Sequence, residues 1–211
     1  MNNLLLEDLN KEINIKKSSI INGININKDI DLKINVFKNV DLSINIFTND
    51  NNKDIKLDII LNDNSKLNLN ISFISNKKYN LIVNTTLKGD NIESNVNIRG
   101  INRPQSNTNI NMDGIILKGT KENYLNEYAK VINKSNVSSV KIVPNLIVDS
   151  MDSYASHGAA IFDVSKTNIK YLMSKGLNRE DAINLLEKSF ILEIMDDDIK
   201  SIIKDELNGG I

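Results

Sequence analysis

Residues 55–73 read Ile-Lys-Leu-Asp-Ile-Ile-Leu-Asn-Asp-Asn-Ser-Lys-Leu-Asn-Leu-Asn-Ile-Ser-Phe, two alternating runs separated by one polar turn. Ile55, Leu57, Ile59 and Leu61 share one side; after the turn, Leu67, Leu69, Ile71 and Phe73 repeat the pattern. Alternation of period two marks extended chain, because successive side chains of a strand point to opposite faces. The phase continues outward in both directions, through Ile24/Ile26, Ile30/Leu32/Ile34/Val36 and Val40/Leu42/Ile44/Ile46 upstream and Val96/Ile98 downstream. Turn-forming clusters such as Asn27-Lys28-Asp29, Lys38-Asn39 and Lys88-Gly89-Asp90-Asn91 lie between the runs. Seven or more short strands result between Ile13 and Leu117, at the spacing of an all-β sandwich, barrel or solenoid. Spacing alone leaves these three open.

At 211 residues the chain suits one domain with a helical appendage rather than two independent domains. A net charge of -1 gives no bulk attraction for nucleic acid or an anionic membrane. No apolar run approaches the length of a membrane span, and Leu4-Leu5-Leu6 is broken at once by Glu7 and Asp8, so a soluble cytoplasmic protein is expected. The chain has no cysteine. Any metal or cluster must therefore use His, carboxylate or a partner's sulfur. Asn makes up roughly a sixth of the chain, far above ordinary usage, which the drift of an AT-rich genome at solvent-facing positions explains without function.

The flanks read differently. Residues 1–12 form a short segment that is helical through Leu4, Leu5 and Leu9, ahead of a β core over 13–163. Within that core, Lys121–Lys134 passes for a helix by its Tyr124/Leu125/Tyr128 spacing, before strand character returns over Val137–Val148. The remaining 164–211 segment is a small helical cluster that caps the β core. Ser165 or Thr167 starts a helix carrying Ile169, Leu172 and Met173, which Gly176 ends. Asn178-Arg179-Glu180-Asp181 opens a second helix with the stripe Ile183/Leu186/Phe190/Ile194, and Asp196–Asp198 a third with Ile199/Ile202/Ile203/Leu207.

The stretch Tyr154-Ala155-Ser156-His157-Gly158-Ala159-Ala160 holds the chain's one histidine, a side chain suited to metal binding and proton transfer near neutral pH. Upstream lie Val143-Pro144-Asn145-Leu146-Ile147-Val148 and Asp152; downstream come Tyr171-Leu172-Met173-Ser174-Lys175-Gly176-Leu177 and Glu180-Asp181-Ala182. This order resembles the C-terminal part of the SufBD family, the scaffold proteins of iron–sulfur cluster assembly. There a proline-led strand, an aspartate, a Ser-His-Gly-Ala turn, a Tyr-Leu-Met-Ser-Arg-Gly-Leu helix and a Glu-x-Ala helix follow one another.

The resemblance implies a right-handed parallel β-helix, here a short solenoid, followed by the helical region. It also implies a non-enzymatic role with a transient iron–sulfur cluster at an interface. His157 is then the candidate metal and cluster-binding residue, and Asp152 its candidate support. A SufC-type ABC ATPase is the implied partner, docking at Tyr171, Leu172, Met173, Lys175, Gly176, Glu180 and Ala182. A solenoid's terminal rungs expose unpaired backbone, so a homodimer or SufBD-type dimer through a β-helix edge is expected. Ala155 stands where some SufD proteins have Cys and Gly158 where SufB proteins have Glu, which makes the chain more SufD-like than SufB-like. No Walker-type loop is present, since Gly209-Gly210 lacks the following Lys and Ser/Thr. Two readings compete: a β-solenoid interaction module without cluster chemistry, and a carbohydrate-active β-helix enzyme using Asp149 and Asp152. The absence of Trp disfavours the second.

Overall fold

The computed structural model describes residues 2–6, 9, 11–26, 28–49 and 53–209. In chain order the strands are β1 (Asn2–Leu5), β2 (Glu12–Ile15), β3 (Ser19–Ile24), β4 (Ile30–Val36), β5 (Asp41–Thr48), β6 (Lys53–Leu61) and β7 (Lys66–Ser75). They continue as β8 (Lys78–Leu87), β9 (Glu93–Asn102), β10 (Asn107–Ile116), β11 (Asn123–Asn133), β12 (Ser139–Val148) and β13 (Ser153–Phe162). Odd strands form a seven-stranded sheet in the order β1-β3-β5-β7-β9-β11-β13, and even strands a six-stranded sheet in the order β12-β10-β8-β6-β4-β2. Every pairing is parallel. The chain thus alternates between two sheets while climbing one rung at a time, which is a parallel β-solenoid.

The period-two rows seen in the sequence become vertical columns inside it. In the odd sheet Ile21, Ile44, Leu69 and Val96 are in register, and in the even sheet Ile34, Ile59 and Thr85 are. All seven are buried. Stacking like on like removes each apolar row from water, at about 25 cal/mol per Å² of apolar surface.

Two positions show how tightly the interior fills. Phe73 stacks on Tyr79 with ring centroids 4.2 Å apart. Phe73 is in register with Gly100, where an added Cβ would lie only 2.1 Å from the Phe73 ring. Gly100 is therefore the hollow that lets the aromatic pair fit.

Asparagine has structural work that drift does not account for. Side-chain amides stack rung on rung along the outer faces, the later residue donating from Nδ2 to the earlier Oδ1. Asn35 bonds Asn14 at 3.1 Å and Asn62 bonds Asn35 at 3.0 Å. A second ladder runs from Asn45 to Asn22, Asn70 to Asn45 and Asn97 to Asn70 at 3.2–3.4 Å. Further asparagines occupy the corners: Asn39, Asn64 and Asn91 have φ of 59°, 54° and 53°. Asn tolerates that left-handed region better than other L-residues. Ladders and corners recur once per rung, so the asparagine content follows the repeat.

Two helix expectations fail. Residues 2–5 form β1, the first strand of the odd sheet, rather than a helix, so the solenoid begins before residue 13; residues 1, 7, 8 and 10 of that segment lie outside the described residues. The stretch Lys121–Lys134 holds β11 (Asn123–Asn133), not a helix: Leu125, Glu127, Ala129 and Val131 alternate inward, and pairing with β9 decides the conformation.

Three helices follow: α1 (Lys166–Ser174), α2 (Arg179–Leu192) and α3 (Asp197–Gly209). Ser165 caps α1 by accepting from the Asn168 amide, and Gly176 at φ 101° follows its C-terminus. Asn178 caps α2, accepting from the Asp181 amide at 2.9 Å. The helices do not cap the end of the solenoid. They flank its odd sheet, because Ile74, Ile101, Ile132 and Phe162 form an outward apolar row in place of polar residues. Ile74, Ile101 and Ile132 share one buried cluster with Ile191, Leu192, Ile199 and Ile203, and Phe162 meets Phe190 edge-on at 5.6 Å. Ser72 donates to the Ile191 carbonyl at 2.7 Å, and Glu187 lies between Arg103 and Lys134.

Filling the Gly100 hollow is expected to destabilise the chain by about 1–3 kcal/mol in Gly100→Ala, read as a lower urea midpoint. Combining it with Phe73→Leu should recover much of that loss; strictly additive losses would contradict the packing account.

Candidate functional site at the open end

The last rung consists of β12 and β13, each ten residues long. Within the described chain β12 pairs only with β10 and β13 only with β11, so one edge of each carries unsatisfied N–H and C=O groups. The opposite end has only the four-residue strands β1 and β2. Long, unprotected edges are templates for pairing with another chain. Apolar side chains crowd these edges: Tyr154 is 59% exposed, Ile147 51% and Ile161 49%, with Val143, Val148, Phe162 and Met151 also exposed.

His157 sits in the middle of β13, in register with Glu127. Its column is Ile44, Leu69, Val96, Glu127 and His157 from the middle of the stack to its end. The first four are buried, and His157 is exposed because no rung lies above it. Ala155 and Ala159 flank it in the same phase, leaving the ring without bulky neighbours on its own strand. Asp152 is not its partner. It precedes β13 in an exposed turn, five residues and so ~16 Å along an extended chain from His157. Its backbone carbonyl accepts from the Glu122 amide at 2.6 Å, a corner role. Asp149 is likewise exposed in the β12–β13 turn. Among the described residues no group of three or more His, Asp or Glu is placed to hold a metal ion. One copy of the site is therefore incomplete as a metal centre.

Sequence reading missed Glu127. Its side chain is fully buried, and neither carboxyl oxygen has a hydrogen-bond partner. It reaches across the core toward Gly114 of β10, where Oε2 lies 3.0 Å from the position an added Cβ would take. Thr85, in register below Gly114, is also buried with its hydroxyl unpaired. Burial first, and the nearby Asp113 carboxylate second, push the Glu127 carboxyl up to about 8; the Thr85 hydroxyl, close by but outside hydrogen-bonding geometry, opposes them least. The signal was present as a glutamate in an inward column of aliphatics. Reading residues 121–134 as a helix put it on a polar face and hid it.

The helical residues divide by exposure. Tyr171, Met173, Lys175, Gly176 and Glu180 face solvent, with the Lys175 ammonium 5.5 Å from the Tyr171 ring centre. Leu172 is half-buried against the helical core, and Ala182 is fully buried there and offers no contact surface.

A carboxyl raised above its unfolded value keeps its proton in the native state while the unfolded chain releases one, so native stability falls as pH rises between the two values. The loss is about 1.4 kcal/mol per pH unit at full separation, starting near the ordinary carboxylate range and levelling off above about 8. Glu127→Gln should abolish this slope: thermal unfolding from pH 5 to 8.5 is expected to show the variant gaining on the parent toward alkaline pH. Parallel curves would mean that Glu127 is hydrated or paired in solution.

A family model described as SUF system FeS cluster assembly, SufBD core domain, matches residues 37–190. That span runs from the early rungs through the open end and into α2. No curated protein matches the chain.

Proposed function

The chain belongs to the SufBD family of iron–sulfur cluster assembly, and from that premise we propose that it is a cytoplasmic, non-enzymatic scaffold, working as a homodimer joined through β12 and β13 with a SufC-type ABC ATPase. One observation carries this reading: two ten-residue strand edges stand unpaired beside exposed apolar residues, with His157 in the middle of β13. A second copy pairing along these edges satisfies the backbone groups and covers Ile147, Ile161 and Tyr154.

The cluster is cargo rather than a resident cofactor. A single imidazole suits iron but completes no coordination shell. Without cysteine the chain supplies no thiolate, so sulfide and further ligands come from the assembly. With Ala155 and Gly158 in place of Cys and Glu, the chain works in the manner of SufD rather than SufB. The ATPase docks on the exposed part of the α1–α2 region, Tyr171, Met173, Lys175, Gly176 and Glu180, with Leu172 and Ala182 holding that surface from behind.

Light scattering of the purified chain should give twice its 23.7 kDa mass at micromolar concentration. Ile147→Lys, on the exposed face of the edge strand β12, should shift it toward monomer. His157→Ala is expected to fold and dimerise normally but to accumulate several-fold less cluster in anaerobic reconstitution with iron, sulfide and the ATPase. A monomeric parent removes the homodimer from this account, and full cluster yield in His157→Ala makes His157 structural.

A further inference from the structure

Glu127 has no place in the packing described so far. The column holding it is otherwise aliphatic up to His157, and Leu or Val at 127 would fill the space without burying a carboxyl. An unpartnered buried polar group costs about 1–3 kcal/mol, more if charged. Such a cost is retained where the group acts on something. Gly114 opposite lets the carboxyl approach the β10 backbone: an added Cβ there would lie 2.7 Å from Leu146, 2.8 Å from Leu125 and 3.0 Å from Glu127 Oε2.

Glu127 lies one rung beneath the open end, directly under His157. Register neighbours on adjacent strands stand ~4.8 Å apart, and both residues occupy inward positions. A change of rotamer at Glu127 would turn its carboxylate along the column, toward the His157 imidazole on the neighbouring strand. No other Asp, Glu or His of the described chain is in register with His157.

We propose that Glu127 is a second ligand of the open-end site, binding a divalent cation of the ferrous type together with His157, with the remaining positions filled by water, sulfide or the second copy. This rests on the assignment of His157 to the cargo site, and it adds a hard oxygen donor to a borderline nitrogen donor. That pair suits ferrous iron before sulfide arrives. Glu127 is stored in the interior when the site is empty and is drawn toward the opening when an ion enters. The carboxyl then gives its proton to solvent and binds as carboxylate.

The test is anaerobic titration of the full chain with Co2+ as spectroscopic probe, repeated with Fe2+ alone. The parent is expected to bind one ion per chain, and Glu127→Gln to weaken binding at least tenfold. Gln keeps the shape and neutrality of the buried carboxyl, so it should fold. Glu127→Leu, matching Leu69 of the same column, provides a second variant with the same expected loss. Thr85→Val, which alters the interior but not the ligand pair, should bind within twofold of the parent. Binding by both Glu127 variants within twofold of the parent, or a parent that binds neither ion, overturns the proposal. Light scattering and ATPase association of the same variants separate this outcome from failure of the scaffold reading: Glu127→Gln should remain dimeric and partner-competent whatever its affinity for the ion.

Discussion

Parallel stacking satisfies each rung's backbone with the next one, and that rule has no solution at the last rung. In this chain β12 and β13 carry the consequence, each presenting a full-length edge with donors and acceptors unmet. The helices that could have covered the edges are held elsewhere. Ile74, Ile101, Ile132 and Phe162 draw them to the flank of the odd sheet, and Ser72, Arg103 and Lys134 fix them there through polar contacts. An open end is therefore built into the fold.

The rest of the solenoid is specified redundantly. Aliphatic columns set which face of each strand turns inward, and a slip of one residue would turn every column to solvent. Amide ladders add a second register, since each of their steps pairs an asparagine with the one a rung before. Left-handed asparagines place the corners at the same point of successive turns. This redundancy fixes the geometry in which the last rung presents its edge.

Alternation in residues 30–36, 55–61 and 67–73 made strands and their inward faces legible, because period two depends only on local geometry. Whether those strands closed into a barrel or stacked as a solenoid was not legible from spacing, since register is a property of pairs far apart in sequence. The resemblance around His157 supplied that step. Caps at Ser165 and Asn178 were readable for the same local reason as the strands. What failed was set by tertiary context. Residues 121–134 carry a helical spacing that β9 overrides, and the leucines at the N-terminus join the first rung instead of a helix. Asp152 looked close to His157 in sequence, but an extended strand separates them. Glu127, thirty residues away, is the register neighbour. Proximity in a solenoid follows the rung repeat, so the relevant partner is found one turn back.

The proposed assembly ties folding to function: the backbone groups left unsatisfied by stacking would be met by a second subunit, and the histidine exposed by the missing rung would be open to a cargo ion. Amide hydrogen exchange of the full chain above and below its association concentration tests this most directly. The account predicts that alternate amides of β12 and β13 slow by at least tenfold on association while those of β7 and β9 stay unchanged. Equal exchange of the last rung at both concentrations would contradict it.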